Sequence, residues 1–518
     1  MFRRLVKFSQ WRKKTGTFYY ATVSDVLKTL RTKEQLGESD ITNIENRLAK
    51  TEELLSEEAL GDLPKLFKDI LNNSQIPQSS RNRILSKLLT DGIRKNFSLY
   101  FLVAKNDFQW SPEVLAKVIE VNPGRVDQAW DLYERHAKGA KNDILFSVIL
   151  KKLLEGEKVE IESEELNLSI PRIAQAIYVI RHSNNSVPLY FQARLFNGLI
   201  DRKLTSCIGL SNISPEFIHH KMQNDQDLDG LIFLRLFRYI LRIQPYMLSV
   251  DDIIKAINLC SISRRKINTM NELENQNFQS FSNEYTRLDS VNLYFDSLSA
   301  EDVDKLGDEI LEFVHENELD RACSSEFNQL RIRILEYLGI QKDNITAASS
   351  TFESYRLNQD IELDQLRQRL LQIYCFTFIK NKTYVSLECS QELGNYAPIS
   401  VESILSLILA NSVLDFSLSL QIFNESIGDT SKKENVAGLF SDSGLLVLSL
   451  ILASLYNDDR GLASFIYERA QVNNLLVDLD KLTVKKYLRT YPEVLQNEGN
   501  HKAKEFISDC MLDIIRRF

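Results

Sequence analysis

Apolar residues recur along this chain at helical rather than strand spacing. In GDLPKLFKDILN, residues 61–72, the side chains Leu63, Leu66, Phe67 and Ile70 fall at i, i+3, i+4 and i+7. That spacing draws one stripe on an α-helix. Ile84, Leu85, Leu88 and Leu89 continue it within 82–105. The stretch 126–154 reads as two helices around a polar break at 138–142, and 171–200 as another pair split at 183–186. The spacing predicts further helices over 228–244, 250–260, 301–316, 324–338, 344–355, 361–379, 400–425, 443–456, 460–472, 479–490 and 502–517. Strand alternation is scarce, with 382–387 at best a fragment. Only 18 glycines and 10 prolines punctuate the chain, fewer than the usual roughly 7% and 5%. The expected fold is therefore all-α.

Three segments read as loops. Residues 155–167 are acidic, 266–290 are rich in Asn, Gln, Ser and Glu, and 428–444 mix Gly, Ser, Asp and Lys. With 518 residues, the chain suits about three ordinary domains or one extended helical array. The organisation expected is a leader over 1–20, a helical region over 21–265, a polar loop or linker over 266–290, and a second helical region over 291–518. Insertions within one array would leave the same marks as subdomain boundaries.

One element occurs twice. AWDLYER at 129–135 and ASFIYER at 463–469 share the form A-x-x-[L/I]-Y-E-R. On a helix, Ala shares a face with the branched residue and the aromatic, so a neighbouring helix can approach at Ala while the large pair fills the next layer. Glu and Arg then point to solvent. Weaker copies start at Ala348 and Ser419, and the four starts are separated by 219, 71 and 44 residues. The gap of 71 is near two periods of about 35 and that of 219 near six, while 44 fits less well. Degenerate hairpins with insertions give such spacing, and so do chance matches in a helical chain.

The stretch LILASLYNDDRGLASFIYERA, residues 450–470, resembles a pentatricopeptide-type hairpin, with Leu450, Ile451, Ala463, Ile466, Tyr467 and Ala470 at matching positions. It is also similar to half-a-TPR repeats, whose second helix has a related form. The likeness is good over about twenty residues and loose around Trp130. It implies an irregular α-solenoid of helical hairpins. The base-reading position of that family falls near Leu448, which has no group to read a base, and the turn lacks the family's glycine. No base-reading residue is carried over.

Charge changes the picture at the N-terminus. Residues 1–20 carry Arg3, Arg4, Lys7, Arg12, Lys13 and Lys14 and no acid, with Phe2, Leu5, Val6 and Phe8 on the opposite side of a helix. Such a segment resembles a mitochondrial presequence; a basic tail touching a membrane surface or nucleic acid has the same look. Without those six cations, 57 basic residues face 71 acidic ones, a net of −14. Any contact with RNA must then come from a local patch on an acidic body. The six cysteines have no C-x-x-C pair, which fits free thiols in a reducing compartment. No run approaches the ~18 apolar residues of a membrane span.

Catalytic signatures are missing from the text. There is no phosphate-binding P-loop, no Rossmann fingerprint, no G-x-S-x-G and no H-E-x-x-H. His219 and His220 beside Glu216 point apart on a helix, and NDQDLDG at 224–230 lacks the downstream Glu of a calcium loop; a solvated helix start explains it better. No cofactor, metal or reaction is expected. The sharpest candidate surface is LIFLRLFRYILRI, residues 231–243, where Arg235, Arg238 and Arg242 lie within about 60° of arc on an otherwise apolar helix. Such a stripe is suited to gripping phosphates or stacking on bases. Equally, it is the helix's one solvent face, paired with nearby acids. Arg331 and Arg333, the run Arg264-Arg265-Lys266, and Lys485, Lys486 and Arg489 are weaker candidates of the same kind.

A presequence on a degenerate helical-repeat chain rich in Leu, Asn and Ser resembles the fungal mitochondrial gene-expression factors. That likeness implies a matrix protein whose partner is single-stranded mitochondrial RNA, with the mitoribosome or other gene-expression proteins beside it and no DNA. Maturation, splicing or translation activation of one transcript is the implied role. A non-catalytic protein scaffold in respiratory-complex or mitoribosome assembly is the competing expectation.

Overall fold

The computed structural model describes residues 30, 32, 37–49, 57–92, 110–121, 126–137, 142–155, 168–183, 186–205, 212–225, 228–288, 297–322, 324, 327–358, 361–395, 399–430 and 436–517. The expected leader, 1–20, lies outside them. Among the described residues every long element is a helix, and no strand occurs. The chain forms two compact units. One comprises Met1–Lys221 and Asn268–Ser297, the other Met222–Ile267 and Leu298–Phe518.

The first unit contains α1 (Glu38–Ala49), α2 (Glu57–Asn72), α3 (Gln78–Gly92), α4 (Pro112–Val121), α5 (Val126–His136), α6 (Asp143–Glu155), α7 (Ile170–His182) and α8 (Leu189–Asp201). Each packs on its next or next-but-one neighbour: α1 and α2 on α3, α3 on α4, α4 and α5 on α6, and α6 on α7 and α8. This is the order of stacked hairpins. The repeated element on α5 behaves as its spacing predicts. Ala129, Leu132 and Tyr133 are buried with Trp130, which meets Tyr178 edge-on, while Arg135 pairs with the exposed Asp131 at 4.0 Å. Helix α9 (Pro215–Asn224) follows, and α10 (Gly230–Ile243) begins at Asp229, whose carboxylate accepts from the Leu231 N–H at 2.9 Å. The acidic NDQDLDG text thus supplies a helix cap at Asp229.

The second unit contains α10 and α11 (Val250–Leu259), then α13 (Ala300–Glu316), α14 (Asn328–Glu336), α15 (Ile345–Arg356), α16 (Asp364–Asn381), α17 (Tyr384–Gly394), α18 (Val401–Ser412), α19 (Phe416–Thr430), α20 (Val436–Tyr456), α21 (Arg460–Val472), α22 (Asp478–Glu498) and α23 (Asn500–Arg516), while α12 (Arg264–Thr286) belongs from Asn268 on to the first unit. Helices α11, α14, α16, α18 and α20 pack in series. The last helix, α23, returns along α16, α18 and α20. Its Ile507, Met511, Ile514 and Ile515 share a core with Phe376, Phe378, Leu405, Leu409, Leu448 and Ile451. Leu448, at the base-reading position of the family resembled, is core. Ser406, Ser412, Ser449 and Ser454 are buried yet satisfied, each hydroxyl donating to a carbonyl three or four residues back. Small side chains that carry their own partner let these helices approach closely.

Between α20 and α21, in the turn that lacks the family's glycine, Asp458 takes a left-handed conformation with φ 60°. Its carboxylate accepts from the Tyr491 hydroxyl at 3.1 Å, and Asp459 caps α21 through the Leu462 N–H at 3.0 Å. Short polar side chains tolerate this backbone because they find such local bonds. On α21, Ala463 and Ala470 are buried and Arg469 lies over Phe465, 5.3 Å from the ring centroid.

Three local expectations change. The polar stretch 266–290 is helical through most of its length, as α12, because Ile267, Met270, Phe281 and Tyr285 are buried at helical intervals among its polar residues. The possible strand at 382–387 is instead the start of α17, which buries Ser386 and Leu387. Helices α19 and α20 run into the expected loop 428–444 from both sides, to Thr430 and from Val436.

Candidate functional site

The arginine stripe of α10 is placed against acids. Arg235 is buried at 5% exposure. Arg238 helps hold the Asp302 carboxyl below its ordinary range, although the Ser299 hydroxyl bonded to that carboxyl has the larger effect. Arg242, the outermost, reaches Glu309 of α13 at 3.6 Å. Phe237 is core, and burial pushes the Tyr239 phenol up. Arg264 and Lys266 of the neighbouring basic run likewise meet Asp304 at 3.6 Å and Asp229 at 2.9 Å. Arg238, Arg242, Arg264 and Lys266 thus each have an acid beside them, the last three in pairs that stay largely exposed.

Arg331 is further still from a surface. At 1% exposure it donates to the main-chain oxygens of Asp320 and Ala322 and to the Asn328 side chain. It ties the turn Leu319–Arg321 to α14, so no RNA strand reaches it in this fold. Lys485, Lys486 and Arg489 are exposed on α22, at the i, i+3, i+4 and i+7 positions begun by Leu482.

Arg333 belongs to a constellation that the sequence did not announce. It lines an open cavity of about 470 Å³ in the second unit. Two helices offer matching polar faces to it. Gln329, Ile332 and Arg333 come from α14, and Gln365, Gln368, Arg369 and Gln372 from α16. Within each helix these residues sit at i, i+3, i+4 and, on α16, i+7, one continuous face. Ser400 and Glu402 at the start of α18 and Arg517 at the end of α23 complete the wall.

The floor is a buried ion network. Glu336 accepts from Arg369 Nε at one oxygen and from an Arg333 terminal nitrogen at the other, both at 2.6 Å. Arg369 also donates to Gln372 and, at 3.5 Å, to the Ile515 carbonyl. Burial lowers the Arg369 pKa, and Glu336 opposes that shift. Gln372 in turn donates to Ser403 at 3.2 Å. Arg369, Glu336 and Gln372 are thereby spent on one another and hold α14, α16, α18 and α23 in register.

The rim is not spent. The Gln329 and Gln365 amides and the Arg517 guanidinium have no hydrogen bond or ion pair among the described residues. Three guanidiniums stand against the carboxylates of Glu336 and Glu402, one net positive charge on a chain of net −8. Amides that both donate and accept, beside cations, suit a ligand bearing an anion and a hydrogen-bonding edge.

Comparison with known proteins gives this body a context. Residues 132–306 match the model of the MRX12 middle domain, and residues 424–518 match that of the MRX12 C-terminal domain. In these two segments the chain is MRX12-like. The MIOREX complex component 12 of Saccharomyces cerevisiae is 20% identical over 468 residues, covering 84% of this chain and 86% of its own. The likeness supports a fungal mitochondrial gene-expression factor, as the presequence-like N-terminus and helical text implied. It leaves the pentatricopeptide repeat type without support. Most of the cavity lining, from Gln329 to Glu402, lies between the two MRX12 segments.

Proposed function

We propose that this chain is a non-catalytic factor of the mitochondrial matrix that works inside a gene-expression assembly and holds a single-stranded segment of an organellar transcript. The yeast relative, by its name a component of the MIOREX complex, supports membership of an assembly. The observation that carries the RNA part is the cavity between α14 and α16, with its unspent amides and guanidiniums. Unstacked bases of a single strand present edges and phosphates together, which a duplex does not. Maturation, splicing and translation activation all require such a grip.

The protein-scaffold reading has its own support. Arg238 and Arg242 of α10 have acids beside them, and Phe465 of α21 and Leu482 of α22 are exposed at 54% and 68%. It predicts partners without RNA and weak salt dependence.

Ultraviolet crosslinking of the tagged chain in isolated mitochondria, followed by sequencing of attached RNA, separates the two. Enrichment of one transcript is the expected result. Tagged protein recovered with partner proteins but no RNA above background would overturn the RNA reading in favour of the scaffold.

A further inference from the structure

We infer that the α14–α16 cavity is a ribonucleotide site, in which Arg333 and Arg517 take the phosphate while Gln329, Gln365 and Glu402 read the base edge. The inference rests on the RNA reading above and assigns it to a place in the fold.

The division of labour follows from which groups are already occupied. Arg369 cannot serve a ligand without abandoning Glu336, and at 5% exposure it has no access to solvent. Arg333 is different. Its side chain keeps 31% exposure and only one terminal nitrogen meets Glu336, so the other terminal nitrogen, rather than the buried Nε, is the group left for a ligand. A guanidinium held on one side by a carboxylate presents its remaining N–H groups at a fixed angle, the geometry that binds a phosphate oxygen well. Arg517 supplies a second cation from the C-terminal end of α23. Ser400 caps α18 by accepting from the Ser403 N–H at 3.2 Å. The partial positive charge of that helix start therefore faces the same space.

The remaining rim groups suit a base. Gln329 and Gln365 approach from opposite helices, and each amide pairs with an adjacent donor and acceptor. The Glu402 carboxylate repels a phosphate placed beside it but accepts from the exocyclic amine of a base, as on cytosine. The acid thus sets orientation: phosphate toward Arg333 and Arg517, amine toward Glu402. The cavity is of ligand-site size and open, so one nucleotide of a longer strand enters without its neighbours being severed.

The test uses the full chain, a fluorescein-labelled single-stranded 12-mer of mixed ribonucleotides, and a cytidine 5′-monophosphate competitor. Arg517→Gln and Gln365→Leu alter exposed side chains outside the ion network, and circular dichroism checks that both variants fold. Arg517→Gln is expected to weaken 12-mer binding about tenfold and to flatten the salt dependence by roughly 0.7 in the log–log slope. Gln365→Leu is expected to change the order of preference among homopolymer competitors while leaving that slope alone. Wild-type binding of the 12-mer with neither variant altering it would overturn the cavity assignment and leave the RNA reading standing. No binding by the wild-type chain, together with no crosslinked RNA in mitochondria, would overturn both. If the monophosphate binds as tightly as the 12-mer and Arg517→Gln weakens it equally, the ribonucleotide site stands and its source is the free nucleotide.

Discussion

Replacing Glu336 by Gln keeps the shape of the side chain and removes the one negative charge that holds two arginines. Both carboxylate oxygens are committed at 2.6 Å, to Arg369 and to Arg333. The two cations differ in what they lose. The Arg369 side chain is 5% exposed and keeps only Gln372 and the Ile515 carbonyl, so its charge is left uncompensated in the interior. Breaking a buried pair from one side costs about 3–5 kcal/mol. Arg333 is about a third exposed, and its share is discounted to a surface-pair value of roughly 0–1 kcal/mol. The expected destabilisation is therefore about 3–5 kcal/mol, confined to the second unit. Against a typical stability of about 5–15 kcal/mol, and with a urea dependence of about 3 kcal/mol per molar, the midpoint falls by about 1–1.7 M.

The two units can be followed separately. Trp110 and Trp130 belong to the first unit and the second contains no tryptophan, while Cys375 and Cys510 lie buried in the second. Burial pushes both thiols up to about 12, which makes them inert to alkylation until that unit opens. Glu336→Gln should lower the urea midpoint of cysteine labelling and leave the tryptophan transition in place. Replacing both partners, as Glu336→Leu with Arg369→Met, should recover most of the loss, because the desolvation of two charges disappears with them. A midpoint unchanged by Glu336→Gln, or a double variant worse than the single, would refute the account of the floor.

Further outcomes follow from other contacts. Gly307→Ala places a methyl where the Tyr337 hydroxyl and ring now sit; overpacking of about 1–3 kcal/mol is expected by thermal denaturation, relieved by Tyr337→Leu. Ser299→Ala removes the capping box of α13, in which Asp302 accepts from the Ser299 hydroxyl at 2.6 Å and the Ser299 N–H at 3.0 Å, at a cost of about 1 kcal/mol. The Asp302 carboxyl is held below its ordinary range in the folded state, so its contribution is present above the ordinary carboxylate pKa and fades as pH falls through the lowered one; Ser299→Ala should reduce that acid-side loss of stability in a pH series. Arg242→Gln breaks a half-exposed pair with Glu309, and losing that pair should change stability by no more than about 1 kcal/mol in urea titration.

Helical periodicity made most elements legible because apolar stripes are local. Residues 126–154 and 171–200 each split into the two helices their polar breaks imply, and the A-x-x-[L/I]-Y-E-R element buries its alanine on both α5 and α21. Helix α12 was hidden because its buried positions are diluted by Asn, Gln and Glu, so composition outweighed spacing. The α10 stripe was found but its bearing was not. That three arginines share a face is a local fact, whereas the acids beside Arg238 and Arg242 are supplied by α13, some sixty-five residues on.

The cavity failed to register for the same physical reason in reverse. A face of Gln365, Gln368, Arg369 and Gln372 is indistinguishable in sequence from ordinary solvent exposure, since polarity at helical spacing marks any outward side. What makes it a site is its partners: Glu336 lies 33 residues away, Ser403 31, and Ile515 146. The last distance decides the matter. Only the return of α23 along α16 and α18 closes the wall and brings Arg517 to the rim, and no pattern within α16 encodes that return. The same argument separates Arg331 from Arg333. They stand two residues apart on α14, so they face different sides, one into the turn Leu319–Arg321 and one into the cavity. Composition counts both as candidate RNA contacts; the helix allows only one of them to be.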